Sequence, residues 1–363
     1  MLTTEVDRSH MARALALAER GLFTTTPNPR VGCVIARGEA VIGEGFHTKA
    51  GEAHAEVAAL ADAASRGVDV KGATLYVTLE PCNAHGRGPP CVDAVLAARI
   101  ARVVAAMHDP NPRKAGGAAR LRAAGVTVEV GLREAEAREL NPGFVSVIER
   151  GRPWVRLKAA ASLDGRTALA NGMSQWITSE GSRVDGHAWR ARACAILTGI
   201  GTVLNDDPAL TVRAVETPRQ PRRIVVDRSA QTPPTARVLA GEGALVITAG
   251  ARNPQWPVSV ESIALPDGNG RVDLPAMMRV LAERDVLELH VEGGAKLNGA
   301  LLDAGLVDEI LLYLAPSVLF DPARGLFERS HPLEALSSRV GLSFHDVRRI
   351  GDDLRIIARV AAG

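Results

Sequence analysis

The chain has 363 residues, 46% of them hydrophobic, 23% charged and 3% aromatic. That is the composition of a globular protein with aliphatic cores, and it excludes a disordered, collagen-like or disulfide-framed chain. The 43 basic and 41 acidic residues leave a net charge of +2, which argues against a nucleic-acid-binding surface. No stretch reaches the roughly 18 apolar residues needed to cross a membrane. The first twenty residues carry Glu5, Asp7 and Glu19 instead of an apolar signal core, so a cytoplasmic location without membrane partners is expected.

In chain order, the first part alternates helix and strand signals. Ser9 to Arg20 has helical spacing with Met11, Leu15 and Ala18 on one side. Val31–Ile35 and Val41–Phe46 are short apolar runs that predict a hairpin through Gly38. His54–Ala64 reads as a helix, Thr74–Thr78 as a strand, Val92–Ala98 as a helix and Val103–Met107 as extended. Ala118–Ala124 is a helix capped by Gly125, and Val126–Val130 is a strand. The alternation predicts an α/β layered domain with a largely parallel sheet. After a short helix over Glu134–Leu140, Asn141-Pro142-Gly143 and Gly151-Arg152-Pro153 break the pattern. The length exceeds one ordinary core, so domains are expected over 1–150 and 151–363. In the second part Trp154–Ala161, Ile224–Asp227, Ala244–Thr248, Leu287–Glu292 and Glu309–Leu314 read as strands. Ser182–Arg192, Leu274–Arg284 and Lys296–Ala304 read as helices.

Four cysteines stand at 33, 82, 91 and 194. Cys33 and Cys194 lie on apolar runs and are expected in cores. Cys82 follows Pro81 after a strand, and Cys91 opens a helix after Pro89-Pro90. With His54 they supply one imidazole and two thiolates, a three-ligand set that leaves zinc a fourth position for water. Glu56, two residues on at a helix start, is placed to move protons between that water and a departing amine. The order H-x-E then P-C then a further cysteine follows the zinc-deaminase pattern, although here eight residues separate the cysteines instead of two. Asn28, in Thr26-Pro27-Asn28-Pro29-Arg30-Val31-Gly32, is either a donor to a pyrimidine edge or an ordinary turn residue.

The second part lacks the dinucleotide-binding G-x-G-x-x-G after a strand. Gly199-Ile200-Gly201-Thr202 and Gly293-Gly294-Ala295-Lys296-Leu297-Asn298-Gly299 are glycine-bearing turns after apolar strands. The second leads into a helix whose first N–H groups can hold a pyrophosphate, and either also reads as a plain turn. Lys158 sits on an apolar strand, where an unpaired ammonium is costly. It is either an edge residue or a group facing the reaction.

Pro27 to Gly32, His54-Ala55-Glu56 and Leu79-Glu80-Pro81-Cys82 through His85-Gly86-Arg87-Gly88-Pro89-Pro90-Cys91, with Asp109-Pro110-Asn111-Pro112, resemble the bifunctional riboflavin-biosynthesis deaminase–reductases. The likeness continues through Lys158 to Arg166, Ser174-Gln175-Trp176-Ile177-Thr178, Asp206 to Arg213 and Glu292-Gly293-Gly294, over nearly the whole chain. The resemblance implies a cytidine-deaminase-like domain followed by a dihydrofolate-reductase-like one, with zinc in the first and NADPH in the second. It implies deamination of a diaminopyrimidinone carrying a ribosylamino 5′-phosphate, then reduction of the ribosyl group to a ribityl chain. It also implies a phosphorylated pyrimidine as small-molecule partner and a homo-oligomer formed through the reductase. Cofactor contacts implied in the same way are Ala160, Trp176, Thr202, Asp206 and the run Gly294, Ala295, Lys296, Leu297, Asn298, Gly299 and Ala300. Implied substrate contacts are Ser174, Arg190, Leu210, Arg213 and Glu292, whose arginines suit a phosphate. Lys158 is expected to assist ring opening or proton delivery to the imine, and Arg228 to meet the 2′-phosphate of NADPH.

Two departures stand out. Asn83-Ala84 replaces the family's Ser-His after the first cysteine, which predicts altered substrate affinity with the zinc ligands intact. Arg228 stands where a serine is common. A deaminase with a degenerate second domain, a deaminase acting on another aminopyrimidine or purine, and a nucleic-acid-binding module on the same fold are the competing readings.

Overall fold

The first helix is started by a reciprocal cap. The Thr4 hydroxyl accepts from the Asp7 amide at 3.1 Å, and the Asp7 carboxylate accepts from the Thr4 amide at 2.9 Å, satisfying two amides that a helix start leaves open. The computed structural model describes residues 4–86, 88–320, 322–329 and 331–361. Arg87 of the cysteine loop and the extreme ends of the two expected domains lie outside the described residues.

The chain divides into two units, one ending at Gly151 and the other starting at Arg152. The first runs α1 (Glu5–Glu19), β1 (Gly32–Arg37), β2 (Ala40–Phe46), α2 (Ala55–Ser65), β3 (Thr74–Val77), α3 (Cys91–Ala97), β4 (Arg102–Ala105), α4 (Gly117–Ala123), β5 (Thr127–Val130), α5 (Glu134–Leu140) and α6 (Pro142–Arg150). Its sheet has the order β2-β1-β3-β4-β5. Only β3, β4 and β5 are parallel, because the β1–β2 hairpin pairs antiparallel with itself and with β3. The expected largely parallel sheet is therefore mixed. Asn141-Pro142-Gly143 also starts a helix as well as ending one. Proline is tolerated at the first helical position, and the Asn141 side chain pairs with both backbone groups of Arg30 (2.8 and 2.9 Å).

Asp7 ties α1 to the sheet. Its carboxylate accepts from the Tyr76 hydroxyl at 2.7 Å and from Arg102 at 2.6 Å. The Arg102 guanidinium holds the Asp7 carboxyl well below the usual carboxylate range. Around it the core is aliphatic, with Val34, Ile35, Leu75, Val77, Val103 and Met107 buried, and Cys33 among them as expected.

The second unit runs β6 (Trp154–Ser162), β7 (Arg166–Ala168), α7 (Glu180–Arg192), β8 (Ala195–Gly199), α8 (Ile200–Asp206), β9 (Arg222–Val226), β10 (Ala244–Thr248), β11 (Glu261–Ala264), α9 (Leu274–Glu283), β12 (Glu288–Val291), α10 (Ala295–Asp303), β13 (Glu309–Ala315), β14 (Arg324–Gly325), β15 (Leu342–Ile350) and β16 (Asp353–Val360). Nine strands form one sheet, ordered β11-β10-β9-β8-β12-β6-β13-β16-β15. It is parallel from β11 to β13 and antiparallel across β16 and β15. The sequence reading has no counterpart for β11, β15 and β16, and it reads the start of α8 as a turn. One sheet face carries charge at its centre. Buried Arg156 meets Glu309 at 2.5 Å and Glu288 at 3.2 Å, and its guanidinium lies 4.4 Å from the Trp189 ring centroid. Cys194 is buried among the aliphatic residues of this unit, as expected.

Candidate functional site

In the first unit the local starts of two helices and one loop converge. His54 is the residue before α2, extended and without a capping hydrogen bond, so its ring stays free to face the loop. Cys91 is the first residue of α3, and its amide donates to Cys82 Sγ at 3.3 Å. His54 Nδ1 lies 3.1 Å from Cys91 Sγ and 3.7 Å from Cys82 Sγ. The three ligand atoms all fall within 4.8 Å of one another, the one such cluster among the described residues. Hydrogen bonds from Cys91 and His54 hold the Cys82 thiol down at about 4, while its contact with Cys82 and burial push Cys91 up. Two soft sulfurs and one imidazole, drawn together this closely, fit zinc.

Glu56 lies in the first turn of α2, almost wholly buried, with its carboxyl in hydrogen-bonding contact with Cys91. Desolvation lifts it to about 7, a value suited to taking and giving protons near neutrality. The loop that carries Cys82 is pinned by Glu80. This buried carboxylate accepts from the amides of Ala118 (2.8 Å) and Asp109 (3.1 Å) and lies 3.1 Å from His108 Nδ1.

Asn28 reaches this site through a residue the sequence reading did not single out. Its Nδ2 donates to His47 Nε2 at 3.0 Å, and His47 Nδ1 lies 2.9 Å from the Ala53 carbonyl. A carbonyl can only accept, so neutral His47 carries its proton on Nδ1 and accepts from Asn28. The His47 ring stands edge-on to His54 with centroids 5.5 Å apart. The signal for it was a histidine just past a strand end and seven residues before the ligand. At the departing motif, Asn83 Oδ1 accepts from Arg120 at 3.3 Å, and His85 is exposed.

The second unit holds a cleft of about 980 Å³ along the ends of its parallel strands, at the large end of the range for small-molecule sites. Of the expected cofactor contacts, Ala160, Trp176, Thr202, Asp206, Arg228, Gly294, Ala295, Lys296, Leu297, Asn298 and Ala300 all line it. Gly299 does not: a Cβ there would sit 1.9 Å from the Glu328 carbonyl oxygen, so its glycine serves the packing of α10. Gly293 leaves a cradle, since a Cβ on it would lie 2.9 Å from Asn298 Oδ1, a buried acceptor without a partner. Gly294 precedes α10 with no side-chain cap, leaving open amides at a helix start. An orphaned acceptor, a glycine cradle and open amides fit a dinucleotide.

Lys158, Ser174 and Glu292 line the same cleft. Arg190 grips Glu292 side-on through one guanidinium edge, with Nη2 at 2.8 Å from Oε2 and Nε on Oε1. The half-buried Glu292 carboxyl is thereby held well below its usual range, and desolvation lowers the Lys158 ammonium. Arg190, Arg213 and Leu210 lie outside the cleft lining. Arg190 and Arg213 meet at Thr211, the first on its carbonyl at 3.0 Å and the second on its hydroxyl at 2.9 Å. Leu210 is buried beside Val203 and Val225.

Two family models match the chain: the cytidine and deoxycytidylate deaminase zinc-binding region over residues 4–107, and the RibD C-terminal domain over 153–356. The riboflavin biosynthesis protein RibD of Escherichia coli K12 is 47% identical, with 96% of this chain and 98% of that protein covered. RibD of Aquifex aeolicus is 41% identical over 97% of this chain and 98% of its own length. Among solved structures, Acinetobacter baumannii RibD superposes with a TM-score of 0.91 at 40% identity, covering 99% of each chain. A Thermotoga maritima diaminohydroxyphosphoribosylaminopyrimidine deaminase/5-amino-6-(5-phosphoribosylamino)uracil reductase superposes at 0.89 with 35% identity, covering 98% of this chain and 99% of that one.

Proposed function

The chain belongs to the RibD family of riboflavin-biosynthesis proteins, bifunctional enzymes with a zinc-dependent deaminase and an NADPH-dependent reductase, and from that premise we propose how its residues divide the work. Residues 1–150 deaminate 2,5-diamino-6-ribosylamino-4(3H)-pyrimidinone 5′-phosphate. Residues 151–363 reduce the product to 5-amino-6-(5-phosphoribitylamino)uracil. The observation that carries the first step is the convergence of His54, Cys82 and Cys91 beside the buried Glu56.

His54, Cys82 and Cys91 would hold the zinc, which when bound would make water acidic enough to attack at neutral pH. The Glu56 carboxyl takes the proton of the attacking water and passes it to the departing amine. Asn28, oriented by His47, binds the pyrimidine edge.

In the reductase, NADPH supplies the hydride, and the protein holds it against the substrate. Ala160, Trp176, Thr202, Asp206 and the start of α10 position the cofactor. Glu292, fixed by Arg190, and Ser174 hold the ribosyl hydroxyls. Arg190 and Arg213, with the backbone of Leu210, face the phosphate end. Lys158 Nζ delivers the proton that accompanies hydride transfer, to the ring oxygen on opening or to the imine nitrogen on reduction.

Among the described residues no helix is long and apolar enough to cross a membrane, and we place this work on a phosphorylated metabolite in the cytoplasm. Self-association through the reductase is supported by β15, an edge strand that exposes Leu342, Phe344 and Val347, since bare apolar edges invite pairing. The deciding assay supplies the diaminopyrimidinone phosphate with NADPH and follows ammonia and NADPH absorbance separately. Both signals are expected. Ammonia alone would leave a deaminase only, and neither would overturn the proposal.

A further inference from the structure

The cleft of the second unit has two chemically different ends. One lies at β6, where Lys158 and Glu292 gather the reacting groups. From there the sheet order passes across β12 and β8 to β9. Three strand spacings of about 4.8 Å make that distance about 14 Å, which an extended dinucleotide can bridge. With the nicotinamide at Lys158, the adenosine falls at the end of β9.

Two charged side chains line the cleft at that far end, beside Val226, Val272 and Leu274: Arg228, two residues past β9, and Arg271, just ahead of α9. Both are exposed, and among the described residues neither guanidinium makes a hydrogen bond or ion pair, although Arg271 feels the charge of the nearby Asp267 carboxylate. Their backbones are nevertheless fixed relative to each other. The Arg228 carbonyl accepts from the Ala249 amide at 3.1 Å, the neighbouring Thr248 carbonyl from Leu265 at 2.8 Å, and the Leu265 carbonyl from Asp273 at 2.8 Å. The turn that carries Arg271 is closed by Asp267, whose Oδ1 accepts from the amides of Asn269 and Arg271 (2.8 and 2.7 Å).

The local acid is withdrawn. An aspartate at a strand end can bind a ribose 2′-hydroxyl and repel a phosphate there. Here Asp227 is 1% exposed, and its Oδ2 accepts from the Thr232 amide and hydroxyl at 2.6 and 2.8 Å. That leaves two guanidinium groups where the adenosine ribose must lie, with the Asp267 carboxylate near Arg271 but not in an ion pair with it. A guanidinium fork matches the oxygens of a phosphate.

We infer that Arg228 and Arg271 together form the clamp for the 2′-phosphate of NADPH and set the preference of the reductase for NADPH over NADH. The inference rests on the reductase reading above. It assigns Arg271, whose distance in sequence from every cofactor motif hid it, a role equal to that of Arg228.

The test is calorimetric titration of the full zinc-loaded chain with NADPH, NADH and adenosine 2′,5′-bisphosphate. Wild type is expected to bind NADPH more tightly than NADH. Arg228→Ala and Arg271→Ala should each weaken NADPH and the bisphosphate about tenfold, the scale of one charged hydrogen bond, with NADH unchanged. The double variant should lose most of the preference. Arg279→Ala, exposed on α9 outside the cleft, should change nothing. Equal weakening of NADPH and NADH, or retained preference in both single variants, would overturn the clamp while leaving the reductase standing. A wild-type chain that binds neither nucleotide would overturn both.

Discussion

The two sites of this chain are assembled in opposite ways. The metal cluster is built from short local pieces: a helix start at His54, a pinned loop at Cys82 and another helix start at Cys91. The reductase cleft is built from strand ends, drawing Lys158, Thr202, Arg228, Glu292 and Arg324 from across the whole second unit. The polar groups of the first site are few and mutually bonded at the edge of an aliphatic core, with His54 exposed, Cys82 half-buried and Cys91 and Glu56 buried. Those of the second continue a charged sheet face around Arg156, Glu288 and Glu309. Concentrated ligands fix one metal and one proton carrier. Distributed ligands can hold a long cofactor and a second substrate at once.

That contrast can be broken most sharply by removing the metal. Exhaustive chelation is expected to abolish ammonia release while NADPH oxidation with the deaminated intermediate continues; loss of both would mean that the sites are not chemically separate. Glu56→Gln should lower ammonia release on the order of a thousandfold, the scale of general acid–base catalysis. Zinc content by atomic absorption and reductase rate should stay at wild-type levels. Loss of zinc in that variant would recast Glu56 as a ligand support.

Lys158→Ala should lower the reductase rate about a hundredfold, with calorimetric NADPH affinity preserved. Burial depresses the Lys158 ammonium below its ordinary value, about 10.4. In the proposed role its protonated form is the active one, so the rate should fall as pH rises through that lowered pKa. Lys158→Arg, which stays charged, should lack this alkaline limb whatever its absolute rate. A wild-type profile flat to the ordinary lysine range would remove the proton-donor role.

The smallest effect sharpens the contrast at the level of stability. Asp7→Asn breaks the buried pair with Arg102 and should cost about 3 kcal/mol in the unfolding of the first unit, followed by denaturant titration. The folded-state pKa of Asp7 is lowered, so its stabilisation is complete above the unfolded value near 3.9 and is lost as pH falls below it. The gap between variant and wild type should therefore close on acidification. A gap independent of pH would assign the loss to packing.

Much of the first site was legible because its ligands sit at element boundaries that sequence marks well: a strand, then Pro81-Cys82, then Pro89-Pro90 before Cys91. His47 was not, since its role depends on a pairing with Asn28 across a loop. The second unit was harder for a general reason. Strand β15 carries a register shift between Phe344 and Asp346, which breaks the two-residue alternation by which strands are read. The turn read at Gly199 begins α8, as apolar residues run straight on from β8. Arg271 carries no motif, and only the fold brings it to the end of β9.

The position of β6 has a consequence for how the protein is made. It is the first strand of its unit in sequence but lies inside the sheet, where Trp154 pairs with Glu288 and Arg156 with Glu309. During synthesis the N-terminal unit emerges complete, while β6 must wait for β12 and β13 before either of its edges is covered. Such long-range pairing is slow and leaves strand edges open in the meantime. The deaminase half can thus mature on the ribosome, whereas the reductase half is committed only when the last third of the chain arrives.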